Sequence, residues 1–271
     1  MQATDFSYDG LWLSDLGFMI CTFDSGGVEN ATAGSYITFN SVKQHNGKRF
    51  ALMSSEYEEA FTATFDICKM NNSGAGEDIT IDEFRFIMRW LNRREYHTFS
   101  LVDNHEEEWN EVFFEGSFNV ERINYSGRLI GLSLTFTANR PFGLGKELVE
   151  NLDLWHDNVR EGTIINRSDE IGITYPEQVI ITCHADGDLS ITNSFDNSIV
   201  SIKNCSSGEV LTMDCVNQII TTSDNTHLLY NDFNYTFFRI CSDYMHIENV
   251  YAVNQPCEIT VRYRPVRKVV F

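Results

Sequence analysis

The side chains best suited by type to do chemistry lie in a few short stretches. Asp103–Glu111 reads DNHEEEWNE and sets several carboxylates beside His105 and Trp109. Two carboxylates in different environments, one kept protonated by burial, make a glycosidase, and carboxylates near a histidine can also hold a metal. Consecutive glutamates instead read as a solvated loop. His184-Ala185-Asp186-Gly187-Asp188 offers a second set of ligands. A calcium loop, however, needs acidic groups at regular alternate positions and a bidentate Glu much later. That spacing is missing, so Asp and Gly here mark a hairpin turn. Cys183 next to His184 evokes a thiolate and its base, yet neighbours in a strand point to opposite faces. The chain has no Gly-rich phosphate loop, no zinc-like Cys/His spacing and no aromatic-basic RNA motif. No catalytic, metal or cofactor site is assigned, which favours a structural protein over an enzyme.

Positive charge is the scarcer commodity. The chain carries 39 acidic and 20 basic side chains, a net charge of −19. The imbalance is shared: residues 1–145 hold 11 basic and 21 acidic groups, residues 146–271 hold 9 and 18. Such a surface repels a phosphate backbone, which excludes a duplex-binding domain and suits a conduit or simple solubility. Against this background two basic elements stand out. Asn46-Gly47 is a tight-turn signal followed by Lys48 and Arg49. Arg85, Arg89 and Arg93 follow one another at four-residue spacing. These five side chains are the candidate contacts to acidic surfaces of neighbouring subunits.

The element that carries the arginines is specified at several levels. Thr80 can cap a first turn, Glu83 completes a capping box, and Ile79 can staple onto Phe84. Phe84, Ile87, Met88 and Leu91 recur at helical spacing, and Phe86 with Trp90 widens the apolar face. A helix near residues 80–94 is expected. Around it the period switches to two: Phe61, Ala63, Phe65 and Ile67 alternate with polar residues before it, and Ile130, Leu132, Leu134 and Phe136 do so after it. One helix among such strands predicts an α+β first domain of antiparallel sheets, residues 1–145.

From Lys146 to about residue 170 strand periodicity fades in the polar, acidic KELVENLDLWHDNVREG, and the connection is placed there. Residues 171–271 read as an all-β sandwich, with turns at ADGD, FDNS, CSSGE and TSDNT. Its last strand sets Ile259, Val261 and Tyr263 against Glu258, Thr260, Arg262 and Arg264. The seven cysteines are odd in number and never form a CxxC pair, so they read as reduced packing residues. The amino terminus lacks the basic and apolar regions of a secretory signal, and no run reaches membrane-span length. Six Asn-X-Ser/Thr sequons are therefore read as accidental.

The order of FSYDGLWLSDLGF, KRFALMSSEYEEAFTATFDICK, EFRFIMRWLN and the closing ANRPFG resembles the distal tail protein of long-tailed bacteriophages across most of residues 1–143. More loosely, TYPEQVIITCHADGDLSITN and SSGEVLTMDC resemble the galectin-like sandwich that often follows in that family. The resemblance implies a homohexameric ring in the virion, assembled in the host cytoplasm between the tail-tube protein and the tail-associated hub of the tip or baseplate. It implies a central channel that DNA crosses without specific binding, and a receptor-binding protein as a further partner. Two rivals belong to other classes: a carbohydrate-binding tail protein stacking sugars on aromatic side chains, and a wall hydrolase with convergent carboxylates.

Overall fold

Asp9-Gly10 shows at the smallest scale how this sequence dictates its backbone. Both residues take positive φ, 55° and 78°, and a two-residue hairpin loop that follows strand twist needs that sign at both positions. They join β1 (Ala3–Tyr8) to β2 (Leu11–Trp12) in the computed structural model, which describes residues 3–23, 37–44, 49–57, 59–69, 77–103, 112–154 and 160–268. The chain divides into two units, the first made of residues 1–145 with the chain from Arg267 onward, the second of Lys146–Val266.

In the first unit a short 3₁₀ turn leads to β3 (Phe18–Cys21), followed by β4 (Ile37–Lys43), β5 (Phe50–Tyr57), β6 (Thr62–Lys69), α1 (Ile81–Leu91), β7 (His97–Asp103), β8 (Val112–Tyr125), β9 (Arg128–Ala138) and β10 (Gly143–Leu144). The main sheet is antiparallel in the order β2-β1-β7-β8-β9-β6-β3, with β10 pairing β8. The expected alternation in β9 holds, with Leu132, Leu134 and Phe136 fully buried. Its partner β8 places Gly116 where a Cβ would stand 2.3 Å from the Thr137 carbonyl and 2.4 Å from the Phe136 ring, so only glycine fits. The core is aromatic: Phe99 lies 4.3 Å from Phe136 and 5.3 Å from Phe118 between ring centroids.

Helix α1 starts as expected. The Thr80 hydroxyl accepts from the Glu83 N–H, and the Glu83 carboxylate accepts from the Thr80 N–H at 2.7 Å. Glu83 also meets Lys69 of β6 at 2.8 Å, which ties the helix start to the sheet. Ile87, Trp90 and Leu91 are buried; the Trp90 ring stacks on Phe6 at 5.8 Å and its Nε1 donates to the Tyr8 carbonyl at 2.9 Å. Phe86 does not join them. It is 42 % exposed, because a helix resting on one sheet buries a narrower stripe than its apolar residues would cover.

The second unit begins where a connection was expected. KELVENLDL supplies β11 (Leu148–Leu154), paired with the last long strand, and β12 (Glu161–Ile165) follows. The acidic Glu150 occupies an inward position between Leu148 and Leu152, which hid the period of two. Then come β13 (Gly172–Thr174), β14 (Gln178–Cys183), β15 (Gly187–Asn193), β16 (Ile199–Cys205), β17 (Val210–Asp214), β18 (Ile219–Thr222), α2 (Leu229–Asp232), β19 (Ile240–Ser242), β20 (Glu248–Val253), β21 (Cys257–Tyr263) and β22 (Val266–Arg267). Sheet β11-β21-β14-β17-β18 and sheet β12-β20-β15-β16 share one core, which makes a sandwich. Val179, Ile181 and Cys183 face Leu189, Ile191 and Ile202 in it, all but shielded from solvent. The fold is mainly β, as the sequence predicts.

Candidate interaction surfaces

The basic side chains singled out by the sequence separate in space. Arg49 is exposed one residue before β5, and Lys48 with the expected turn at Asn46-Gly47 lies outside the described residues. On α1, Arg85 and Arg89 point to solvent. Arg85 is 3.5 Å from Asp82, an exposed i,i+3 pair that contributes little, and Arg89 has no ion-pair partner among the described residues. Arg93, one turn further, folds back. Its Nη1 meets Asp9 at 2.9 Å and its guanidinium lies over the Tyr8 ring at 5.1 Å. The Asp9 carboxyl is held below its ordinary range chiefly by the Arg93 hydrogen bond, with a smaller contribution from His97. This arginine therefore fastens the end of the helix to the β1–β2 turn.

A surface that charge counting misses is the β4–β5 ribbon. It forms a two-stranded sheet of its own, with a register shift between Asn40 and Ser41. Phe39, Phe50 and Met53 are 64–68 % exposed, and Ile37, Val42 and Leu52 are also open to solvent. Isolated two-stranded hairpins are marginal in water, and unpaired strand edges invite pairing with another chain. The signal was present as alternating large residues in ITFNSVK and FALMSSEY, but sequence alone does not say that no described strand packs beneath them.

Among the described residues the candidate chemical groups do not assemble. Asp103 ends β7, and residues 104–111 of the carboxylate run lie outside the described residues. Asp186 accepts the Ser207 N–H at 2.7 Å and Asp188 the Asn204 N–H at 3.0 Å, so both carboxylates brace turns. His184 is exposed, 3.3 Å from Glu258, while Cys183 is buried on the opposite face. Among the described residues no group of three or more His, Cys, Asp and Glu could hold a metal ion. Nor is any helix among them long and apolar enough to cross a membrane.

One polar cluster in the second unit escaped the sequence reading. Glu209 and His227 meet through Oε1 and Nδ1 at 2.6 Å, with side chains 0 % and 3 % exposed. Glu209 also accepts from the Thr222 hydroxyl and from the Ser206 N–H at 2.9 Å. Burial acts against both charges, but the pair and its hydrogen bonds prevail: the His227 pKa is raised and that of Glu209 lowered. No motif announces a pair separated by 18 residues. A crevice lined by Asn193, Arg239 and Tyr251 has no room for a water-sized guest.

Together these features define a mainly β chain of two units, with an apolar ribbon and outward arginines open to solvent. It belongs to a family of phage tail proteins: the profile of the phage tail protein N-terminal domain matches residues 1–140, and that of the phage tail C-terminal domain residues 142–263. The crystal structure of SPP1 Dit (gp 19.1), described as a paradigm of the hub adsorption apparatus in phages that infect Gram-positive hosts, superposes with a TM-score of 0.64 at 10 % identity, covering 97 % of this chain and 99 % of that one. At that identity the likeness shows a shared fold. A baseplate structure of phage P2 in its activated conformation with calcium aligns at a TM-score of 0.42 and 10 % identity, over 97 % of this chain and 98 % of that one. A search of curated proteins gives no match.

Proposed function

We infer that this chain is the distal ring of a phage tail, a structural subunit that joins the tail tube to the proteins of the tail tip or baseplate. Six copies surround a channel through which DNA passes. The observation that carries this reading is the β4–β5 ribbon, whose apolar side chains require a covering surface and which a second copy of the same chain can supply. Membership of a tail-protein family and the fold shared with SPP1 Dit support it. The net charge of −19 suits a conduit, since a wall that repels phosphate does not hold passing DNA. Exposed Arg49, Arg85 and Arg89 are assigned to contacts with acidic neighbours, with Lys48 next to Arg49 in sequence, while Arg93 sets the geometry of the helix end. The protein acts by its interfaces and has no turnover.

The test is the mass and image of the purified full-length chain, alone and mixed with its tail-tube protein. Sixfold rings with an open centre are expected. A chain that stays monomeric at every concentration in both settings overturns the reading.

Saccharide binding by the second unit has one observation in its favour. Tyr230 and Tyr235 are 66 % and 64 % exposed, and the Tyr235 hydroxyl is pinned to the Tyr230 carbonyl at 3.1 Å. Tyrosine chemical-shift changes on adding host-wall saccharides, lost in Tyr235→Ala, would mark that role.

A further inference from the structure

Three thiols of the second unit share one corner of the sandwich. Cys183 ends β14 and Cys257 begins β21, and the two are direct partners across that ladder, both fully buried. The Cys183 N–H donates to the Glu209 carbonyl at 2.9 Å and its own carbonyl accepts the Gly208 N–H at 2.7 Å, so both backbone groups point away from β21. The next pair carries the ladder bond instead, from the His184 N–H to the Pro256 carbonyl at 3.0 Å. Cys183 and Cys257 thus occupy a non-hydrogen-bonded position of an antiparallel pair. There the Cα atoms approach to about 4.5 Å and the side chains lean together. A disulfide spans Cα separations of about 4.4–6.8 Å. All seven cysteines are free thiols in this structure.

We propose that Cys183 and Cys257 are a latent cross-strand disulfide, closed by a low-molecular-weight disulfide such as oxidised glutathione once the folded protein leaves a reducing compartment. The Cys183 thiolate attacks one sulfur of the oxidant, forms a mixed disulfide and releases one glutathione. The Cys257 thiol then loses its proton and displaces the second glutathione as the Cys183–Cys257 bond forms. Two protein thiols are oxidised, one small disulfide is reduced, and both protons leave with the two glutathione molecules.

Position and burial set the timing. Both residues sit at strand ends next to turns, where local fraying admits a small oxidant without global unfolding. Burial pushes the Cys257 thiol up to about 12, so its thiolate is rare and closure is slow. Short-lived oxidants inside a cell leave the pair reduced, whereas prolonged residence in an oxidising medium closes it. Cys205 packs in the same core cluster, its thiol within hydrogen-bond reach of the Cys183 thiol and 3.6 Å from the Ile202 carbonyl, which makes it the rival of Cys257 for Cys183. Once formed, the bond ties β14 to β21 and encloses the chain from β15 to β20, which restricts the unfolded state and raises the unfolding midpoint.

The occasion for oxidation, release of a virion, rests on the tail-protein reading; the geometry does not. The full-length chain is incubated with oxidised glutathione below its unfolding midpoint, quenched with an alkylating agent and mapped by non-reducing peptide mass spectrometry. A Cys183–Cys257 peptide lighter by two hydrogen atoms is expected, reversible by dithiothreitol and accompanied by a higher unfolding midpoint. Cys205→Ser retains the link. Cys257→Ala, kept small and apolar so that the core folds, loses it. Both thiols still alkylatable after days in the oxidant, or a link that joins Cys205 instead, overturns the proposal. Ring formation is scored separately by mass, so either idea can fail alone.

Discussion

His227 presents Nδ1 to Glu209 at 2.6 Å with both side chains shielded from solvent, a charge pair held where the residue before β17 meets the segment between β18 and α2. Its stability contribution has a sign at each end of the pH scale. The folded pKa of His227 is raised, so that contribution is complete below the ordinary imidazole value and is lost as pH rises through the folded value. The folded pKa of Glu209 is lowered, so its contribution is present above the ordinary carboxylate value and is lost as pH falls through the folded one. Thermal unfolding of the second unit should therefore show greatest stability in mildly acidic solution, declining on both sides. His227→Ala strands a buried carboxylate and should cost roughly 3–5 kcal/mol. Replacing the whole pair by apolar residues should restore part of that. A His227 imidazole that titrates by NMR below its ordinary value would refute the assignment.

Helix α1 gives a second prediction. Trp90→Ala removes a ring stacked on Phe6 and the donor to the Tyr8 carbonyl, and should lower the stability of the first unit by about 3–5 kcal/mol in denaturant titrations. Thr80→Ala at the cap should cost about 1 kcal/mol. Equal losses at the two positions would contradict the packing described for this helix.

The third prediction concerns the outward arginines. Charge reversal of Arg85 and Arg89 should leave circular dichroism and unfolding midpoint unchanged while it weakens ring or tail assembly, most visibly at low salt. Arg93→Glu should differ, because it breaks the Asp9 pair and places two carboxylates beside each other. Its first symptom should be a lower unfolding midpoint. Assembly of the Arg85/Arg89 variant indistinguishable from the parent chain at every salt concentration would remove those side chains from the interface.

A fourth test addresses the turn at residues 184–188. Asp186→Asn or Asp188→Asn each weakens one hydrogen bond to a backbone N–H, and should cost roughly 1 kcal/mol or less. Wall-hydrolysing activity in the parent chain that disappears in these variants would overturn the structural reading.

Legibility from sequence followed the distance over which each feature is determined. The capping box of Thr80 and Glu83, the alternation of Leu132, Leu134 and Phe136, and the faces of β21 are set by residues within one turn or one strand, and they emerged as expected. The strands between Leu148 and Ile165 were missed because Glu150 stands at an inward position and breaks the apolar rhythm. Helical spacing places Phe86 on the apolar face of α1 without reporting how much of that face finds a partner, and Phe86 is 42 % exposed. The Glu209–His227 pair and the split of Arg93 from Arg85 and Arg89 depend on chain segments brought together only by the fold. The open ribbon shows the same limit. Its residues are ordinary for a buried strand, and only the topology shows that they are open to solvent.

That ribbon also bears on how the chain survives before it finds a partner. A freshly made copy exposes Phe39, Phe50 and Met53, so on the proposed ring reading its solubility and its capacity to assemble draw on the same side chains. Phe39→Ser with Phe50→Ser should give a better-behaved monomer and a poorer building block, readable as higher soluble yield with fewer rings. On the proposed ring reading, the supply of subunits becomes a contest between productive docking and clumping.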